Sequence, residues 1–317
     1  MRLIKAALPL LVAIAVLCAL CSCNTDKEKK EKVKSPKDSF IIIHSSEPID
    51  VQIAHTVASM LNGSGRSART FESQLPKGED EKAPKAIITV GRSVMSNASP
   101  DNGIPHIYCL TDGGGEIENK KGISPTLDSA ALADCAMVLL PEAENFSVIS
   151  SKEGGSDVQS ACDLLDRTGK NYTVESLDGR IYGEVLLSCL ESDTDALILP
   201  AGAAGNKNAS AAALPYIPES DVPVIAVGTG EPIKGALATF CIDSSAMSEA
   251  LYSLVISEVY GTDATLPDSY YVLCINKERA AALDERAKKN VAELFCVVWV
   301  EYAKGESYAS LQNNEIH

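Results

Sequence analysis

The stretch at residues 195–243 constrains the fold most. It opens on DALILPAG, an apolar run that stops at Pro200 in a loop of small residues. An Ala-rich segment follows at 208–217. A second apolar run, VPVIAVGTG at 222–230, also ends in glycine. Unbroken Val/Ile/Leu runs separated by a helix-length segment predict buried parallel strands of a β-α-β unit. Ligands of open α/β sheets bind beyond the carboxyl ends of such strands. The loops at 200–205 and 228–232 lie at those ends. The next run, GALATFCID at 235–243, is expected to cross between two lobes ahead of a helix at 244–260.

The same alternation runs through the rest of the chain. Strands are expected at 39–43, 86–90 and 104–110, with helices at 49–61 and 126–140. A break at 141–145 precedes a second series: strand 146–150, helix 157–168, strand 172–176 and helix 182–191. Strand 270–275, helix 277–294 and a last apolar run at 295–300 close it. Two series of similar length favour two similar lobes over one large sheet. The 317 residues suffice for two domains of ordinary size. One Trp and five Phe make the core aliphatic.

Residues 1–22 form a targeting segment. Arg2 and Lys5 precede an apolar region at 6–20, which falls short of the ~20 residues a spanning helix needs. Leu20-Cys21-Ser22-Cys23 resembles the bacterial lipobox, and the resemblance implies cleavage before Cys23 and lipidation of its thiol. Residues 24–38 are Lys/Glu-rich and cannot bury a core, so they read as a solvated tether. Removing residues 1–22 takes the formal charge from −15 to −17. That excess of acid argues against nucleic acid, which needs clustered Lys and Arg.

Seven cysteines remain in the exported part: Cys109, Cys135, Cys162, Cys189, Cys241, Cys274 and Cys296. They show no CxxC spacing, and most sit inside apolar runs, so they read as small buried hydrophobes. A disulfide is open to an exported chain. No metal or cofactor is expected, because His44, His55, His106 and His317 are scattered and form no ligand pair.

The catalytic patterns are absent. No Gly-x-Ser-x-Gly elbow follows a strand. Gly113-Gly114-Gly115 lacks the Lys-Ser/Thr of a P-loop. No catalytic residue is therefore assigned, and the chain is read as a binder rather than an enzyme. A solute cleft needs hydroxyls, amide N–H groups and a few charges at strand ends. The strand-end loops supply Ser45, Ser46, Gly91, Arg92, Ser93, Thr111, Asp112, Ser151, Ser156, Gly202, Thr229 and Asp243. Arg92 suits a carboxylate, and Asp112 or Asp243 an ammonium. Asp243 also stands where it would N-cap the helix from Ser244.

The order of these elements resembles the tryptophan/tyrosine-type substrate-binding proteins of ABC transporters, over residues 40–283. The residues that carry it are Ser45-Ser46-Glu47-Pro48-Ile49-Asp50 after the first strand, the run closing on Gly91, Ile104-Pro105 with Thr111-Asp112, and Lys121-Gly122-Ile123-Ser124. Gly235-Ala236-Leu237-Ala238-Thr239 with Asp243, and Asn276, complete the set. The chain departs from that family at Gly91-Arg92, Asp112-Gly113, the Glu153-Gly154-Gly155-Ser156 loop and Ala201 or Gly202, which are ligand-facing positions.

The resemblance implies an α/β fold of two hinged Rossmann-like lobes with parallel sheets, the type I periplasmic-binding-protein architecture. It implies a monomeric, lipid-anchored solute-binding protein at a bacterial membrane. Such a protein delivers a small polar solute, by the resemblance an aromatic amino acid, to an ABC permease. The expected division is a signal at 1–22, Cys23 and tether to 38, one lobe from 39–142 with 241–268, and the other from 143–240 with 269–317. Two other readings share the sequence: a ligand sensor docking on a membrane receptor, and an exported hydrolase using one of the serines.

Overall fold

The structure is a computed structural model that describes residues 38–74, 84–97, 103–111, 121–200, 216–228 and 230–301. The expected targeting segment and lipidation site, with the Ala-rich segment up to Pro215, lie outside the described residues.

The first sheet is built from β1 (Ser39–His44), β2 (Ser67–Glu72), β3 (Ala86–Val90), β4 (His106–Cys109) and β5 (Lys121–Ile123), with helix α1 (Pro48–Gly63) between β1 and β2. Its order is β2-β1-β3-β4-β5, and every pairing is parallel. All five residues of β3 are buried, as both faces of a parallel sheet require when helices cover them. Pro48 opens α1, where its fixed φ suits the first turn and its missing N–H costs nothing. The buried face of α1 carries Ile53, Ala54, Val57 and Leu61.

The second sheet begins after α2 (Ser129–Leu139). It contains β6 (Asn145–Ser150), β7 (Asn171–Ser176), β8 (Ala196–Leu199), β9 (Val224–Val227), β10 (Ala238–Ile242), β11 (Tyr271–Asn276) and β12 (Val297–Val300). Helices α3 (Gln159–Arg167), α4 (Tyr182–Leu190), α5 (Tyr216–Glu219), α6 (Ser244–Tyr260) and α7 (Glu285–Leu294) alternate with these strands. The order is β12-β11-β10-β9-β8-β6-β7. Strands β6 to β10 run parallel, and β11 runs antiparallel to β10. β1 lies between β2 and β3 just as β6 lies between β7 and β8, so the two sheets repeat one topology.

Each sheet has its own core. Phe40, Ile42, Ile53, Val57 and Leu61 pack with Met247, Leu251 and Val255 of α6, which covers the first sheet although it follows β10 of the second. Leu132, Cys135, Ala136 and Leu139 of α2 pack with Phe146, Val148, Ile198 and Ile225. Helix α2 therefore belongs to the second lobe, and the chain passes between sheets at residues 124–128 rather than at the break at 141–145, where the lobe boundary is expected. The reason is β5: the short Lys-Gly-Ile strand completes the first sheet before α2 begins, and its composition does not advertise a strand.

Two other expectations are corrected. Residues 235–243 are not themselves a crossing, because 238–242 form β10, seated between β9 and β11. The crossing starts after Ile242. The helix expected at 277–294 is divided into a 3-10 turn at Arg279–Ala282 and α7. Leu283 is extended, and the Asp284 side chain caps a new start by accepting from the Arg286 amide at 3.0 Å.

Six of the seven cysteines are buried and Cys296 is exposed, with no disulfide among the described residues. Burial pushes the Cys189 thiol up to about 11, which makes it a poor nucleophile.

Candidate functional site

Ser45 stands where β1 turns into α1. Its amide donates to Val90 O at 3.0 Å, which ties the turn to β3. Its hydroxyl donates to Asp50 Oδ2 at 2.5 Å and accepts from the Glu47 amide at 3.1 Å. Thr111, just beyond β4, donates its hydroxyl to the other oxygen, Asp50 Oδ1, at 2.6 Å. Asp50 lies in the first turn of α1, where the helix dipole favours a carboxylate, and it is only 2 % exposed. Gly91 closes the cluster from β3. Its φ is +99°, and a Cβ there would overlap Asp50 Oδ2 and lie 3.0 Å from Ser45 Cβ. Only glycine lets the backbone pass this close to the carboxylate.

The second lobe repeats the device. Ser150 ends β6 and Ser151 follows it, and the hydroxyl of Ser150 donates to Asp157 Oδ1. Ser151 gives its hydroxyl to Asp157 Oδ2 at 2.6 Å and its amide to the same oxygen at 2.8 Å. Burial alone would raise the Asp157 carboxyl. The bonds from Ser150 and Ser151 outweigh it and hold the group below its ordinary value of 3.8.

A group depressed on folding contributes stability above its unfolded pKa and loses it as pH falls through the folded one. Acid should therefore destabilise the protein below about pH 4 partly through Asp157. In Asp157→Asn, urea midpoints measured from pH 7 down to pH 3 should fall less steeply than in the parent. A parallel pair of curves would refute this role for Asp157.

The two lobes meet at these ends. A Cβ on Gly230, past β9, would lie 2.8 Å from the Ile49 Cβ of α1. The passages are tied as well. Tyr271 packs against both cores, and its hydroxyl donates to Pro125 O at 3.2 Å. Ser124, in the same passage, holds a buried hydroxyl oxygen with no hydrogen-bond partner among the described residues.

A groove of about 870 Å³ lies elsewhere, lined by Leu140, Pro218, Pro223, Leu237 and Arg279. Pro223 and Leu237 sit at the amino ends of β9 and β10. Open α/β sheets place ligands at the opposite ends, and the hydroxyl–carboxylate clusters stand there.

Solved structures share this fold. A ligand-free, open substrate-binding protein with adhesive properties from Clostridium difficile superposes with a TM-score of 0.61 at 15% identity, covering 84% of this chain and 100% of that one. A domain from Streptococcus pneumoniae, described as an ABC domain in complex with L-Trp, gives 0.55 at 15% identity, over 83% of this chain and 100% of its own. A conserved domain protein from Vibrio cholerae gives 0.54 at 14% identity, over 84% and 99%. The fold is that of the type I periplasmic-binding proteins. No family model matches the chain, and no curated protein matches it.

Within this type I fold the expected site residues separate into groups. Ser45, Gly91 and Thr111 converge on Asp50. Ser46, Arg92 and Ser93 are exposed beside them, the last two opening a 3-10 turn at Arg92–Asn97. Ser151 joins the second cluster. Ser156 is exposed and makes no part of it. Asp243 caps α6, its Oδ1 accepting from the Ser245 and Ala246 amides at 2.9 and 3.1 Å. Asp112, Gly202 and Thr229 lie outside the described residues.

Asp50, Ser150 and Asp157 were missed as site residues. The signal that would have found them is a repeat. Serine follows the first strand of each lobe, with aspartate five residues on in one (Ser45, Asp50) and six in the other (Ser151, Asp157).

Proposed function

We propose that the protein is an extracytoplasmic solute-binding lipoprotein, lipidated at Cys23, that carries a small polar solute between its lobes to the permease of an ABC importer. An amino acid is the first class to test. The observation that carries this reading is the pair of hydroxyl–carboxylate clusters, one per lobe, at the carboxyl ends of sheets that meet at Ile49 and Gly230. Such lobes close on a solute because the shut form holds it more tightly than the open one. Hydrolysis is the weaker reading. The serine hydroxyls of both clusters give their protons to aspartates rather than to a histidine, the base that most often activates a catalytic serine.

The test has two arms. Calorimetry of the protein against amino acids and other polar metabolites should find a binder at millimolar concentration or below, and silence across the panel would sink the reading. Palmitate labelling in cells should mark the parent chain and not Cys23→Ser. Equal labelling of the two would remove the anchor.

A further inference from the structure

We propose that Asp50 and Asp157 set the polarity of the cleft. By taking the hydroxyl protons of Ser45 and Thr111 in one lobe and of Ser151, behind which Ser150 is fully buried, in the other, they leave these hydroxyls with lone pairs only. The solute is then one that presents hydrogen-bond donors, from a protonated amine or a polyol, to both lobes. This inference rests on the solute-binding reading and narrows it.

The argument is a count of hydrogens. A serine or threonine hydroxyl has one proton and two lone pairs. Ser45 sends its proton to Asp50 Oδ2 and uses one lone pair on the Glu47 amide, so one lone pair remains. Thr111 sends its proton to Asp50 Oδ1. Ser151 sends its proton to Asp157 Oδ2. Ser150 has Asp157 Oδ1 and Lys152 O as acceptors for its one proton, and it accepts from the Lys152 amide at 3.1 Å. Each hydroxyl can still accept, and none can donate without leaving its carboxylate. Ser151 is half-buried, while Thr111 and Ser45 keep 9 % and 5 % of their surface open.

A bare anion meeting these walls would face oxygen lone pairs with a carboxylate behind each, a repulsive arrangement in a site of low dielectric. An ammonium or hydroxyl meets the same atoms as acceptors already polarised by charge. Asp50 and Asp157 act through the hydroxyls, so they are positioning residues.

The test is a panel of 1,4-diaminobutane, L-tryptophan, L-tyrosine, inositol, succinate and sulfate, read by calorimetry at pH 7.5 on the parent, Asp50→Asn and Asp157→Asn. Binding is expected among the amines or inositol, and the two families of probe show which donor is used. Each substitution should weaken the best binder about tenfold or more, as losing charge-assisted hydrogen bonds does.

The affinity ratio of that binder to succinate should also fall. An Asn side-chain amide can donate to Ser151 or Thr111 and release the hydroxyl proton toward a ligand carboxylate. Damage to folding alone would lower both affinities and leave the ratio. Asp193→Asn, the same charge change on an exposed turn, should bind like the parent. Should Asp50→Asn fail to fold, the half-buried Asp157 decides the matter.

Succinate or sulfate as the strongest binder overturns this inference and leaves the solute-binding reading standing. So does an unchanged ratio and affinity within twofold in folded variants. No binding by any probe or metabolite overturns both.

Discussion

Replacing Gly91 with alanine is expected to lower the stability of the protein by about 3 kcal/mol, the sum of two penalties. The first is conformational. The φ of +99° lies in the region where an L side chain meets its own backbone, at roughly 1–2 kcal/mol. The second is steric. The new methyl would overlap Asp50 Oδ2, 3.1 Å from Asp50 Cγ, and that carboxylate cannot swing aside because Ser45 and Thr111 hold its two oxygens. Overpacking of this kind costs about 1–3 kcal/mol.

The backbone cannot yield either, since the Gly91 amide donates to Cys109 O at 2.8 Å and keeps the turn on β4. Gly63 is the control. A Cβ there meets nothing within 4 Å, so Gly63→Ala at the end of α1 should be neutral or slightly stabilising. Urea unfolding of both variants checks the pair. A Gly91→Ala midpoint equal to that of Gly63→Ala would mean that the carboxylate cluster is loose and does not order this end of the sheet.

Much of the fold is legible because its signals are local. The runs at 86–90, 196–199 and 224–227 are apolar but for Thr89, and only a strand covered on both faces buries every residue of such a run. Helices α1 and α4 carry apolar residues at helical spacing and match their expected spans within two residues at each end. Assignment of elements to lobes is not local. Helix α2 has an apolar stripe that would suit either sheet, and β5 has too little apolar content to be read as a strand. The bend of β11 to run antiparallel beside β10 is likewise set by where the chain returns from α6.

The site divides in the same way. Strand-end serines and threonines can be read from the order of elements, which is how Ser45, Thr111 and Ser151 are found. Their shared acceptors cannot. Asp50 belongs to the helical pattern of α1 and looks like an ordinary acidic first-turn residue. Only the fold brings Thr111 to it from 61 positions away. Asp243 shows the converse: its place after a strand suggests a ligand contact, and the structure spends its carboxylate on the amides of Ser245 and Ala246.

On the solute-binding reading proposed above, Gly230→Val is expected to weaken solute binding at least tenfold while leaving the stability of each lobe nearly unchanged. A single Cβ at position 230 would already stand 2.8 Å from the Ile49 Cβ and 3.2 Å from its Cγ2. These atoms lie at the root of a β-branched side chain at the start of α1, where one χ1 rotamer dominates and retreat is costly. The cheaper response is for the lobes to stay apart by a rigid-body rotation about the passages, at the cost of the Tyr271–Pro125 hydrogen bond that ties them.

Affinity then falls because the solute reaches only one hydroxyl–carboxylate wall at a time. Small-angle scattering should show the variant with the larger radius of gyration in saturating solute, and calorimetry should show the lost affinity. The double variant Gly230→Ala with Ile49→Gly removes the struck Cβ as well as Cγ2, so its affinity should recover relative to Gly230→Ala alone. Parent-like binding and an unchanged radius in Gly230→Val would show that the approach of Ile49 to Gly230 has no part in holding a solute.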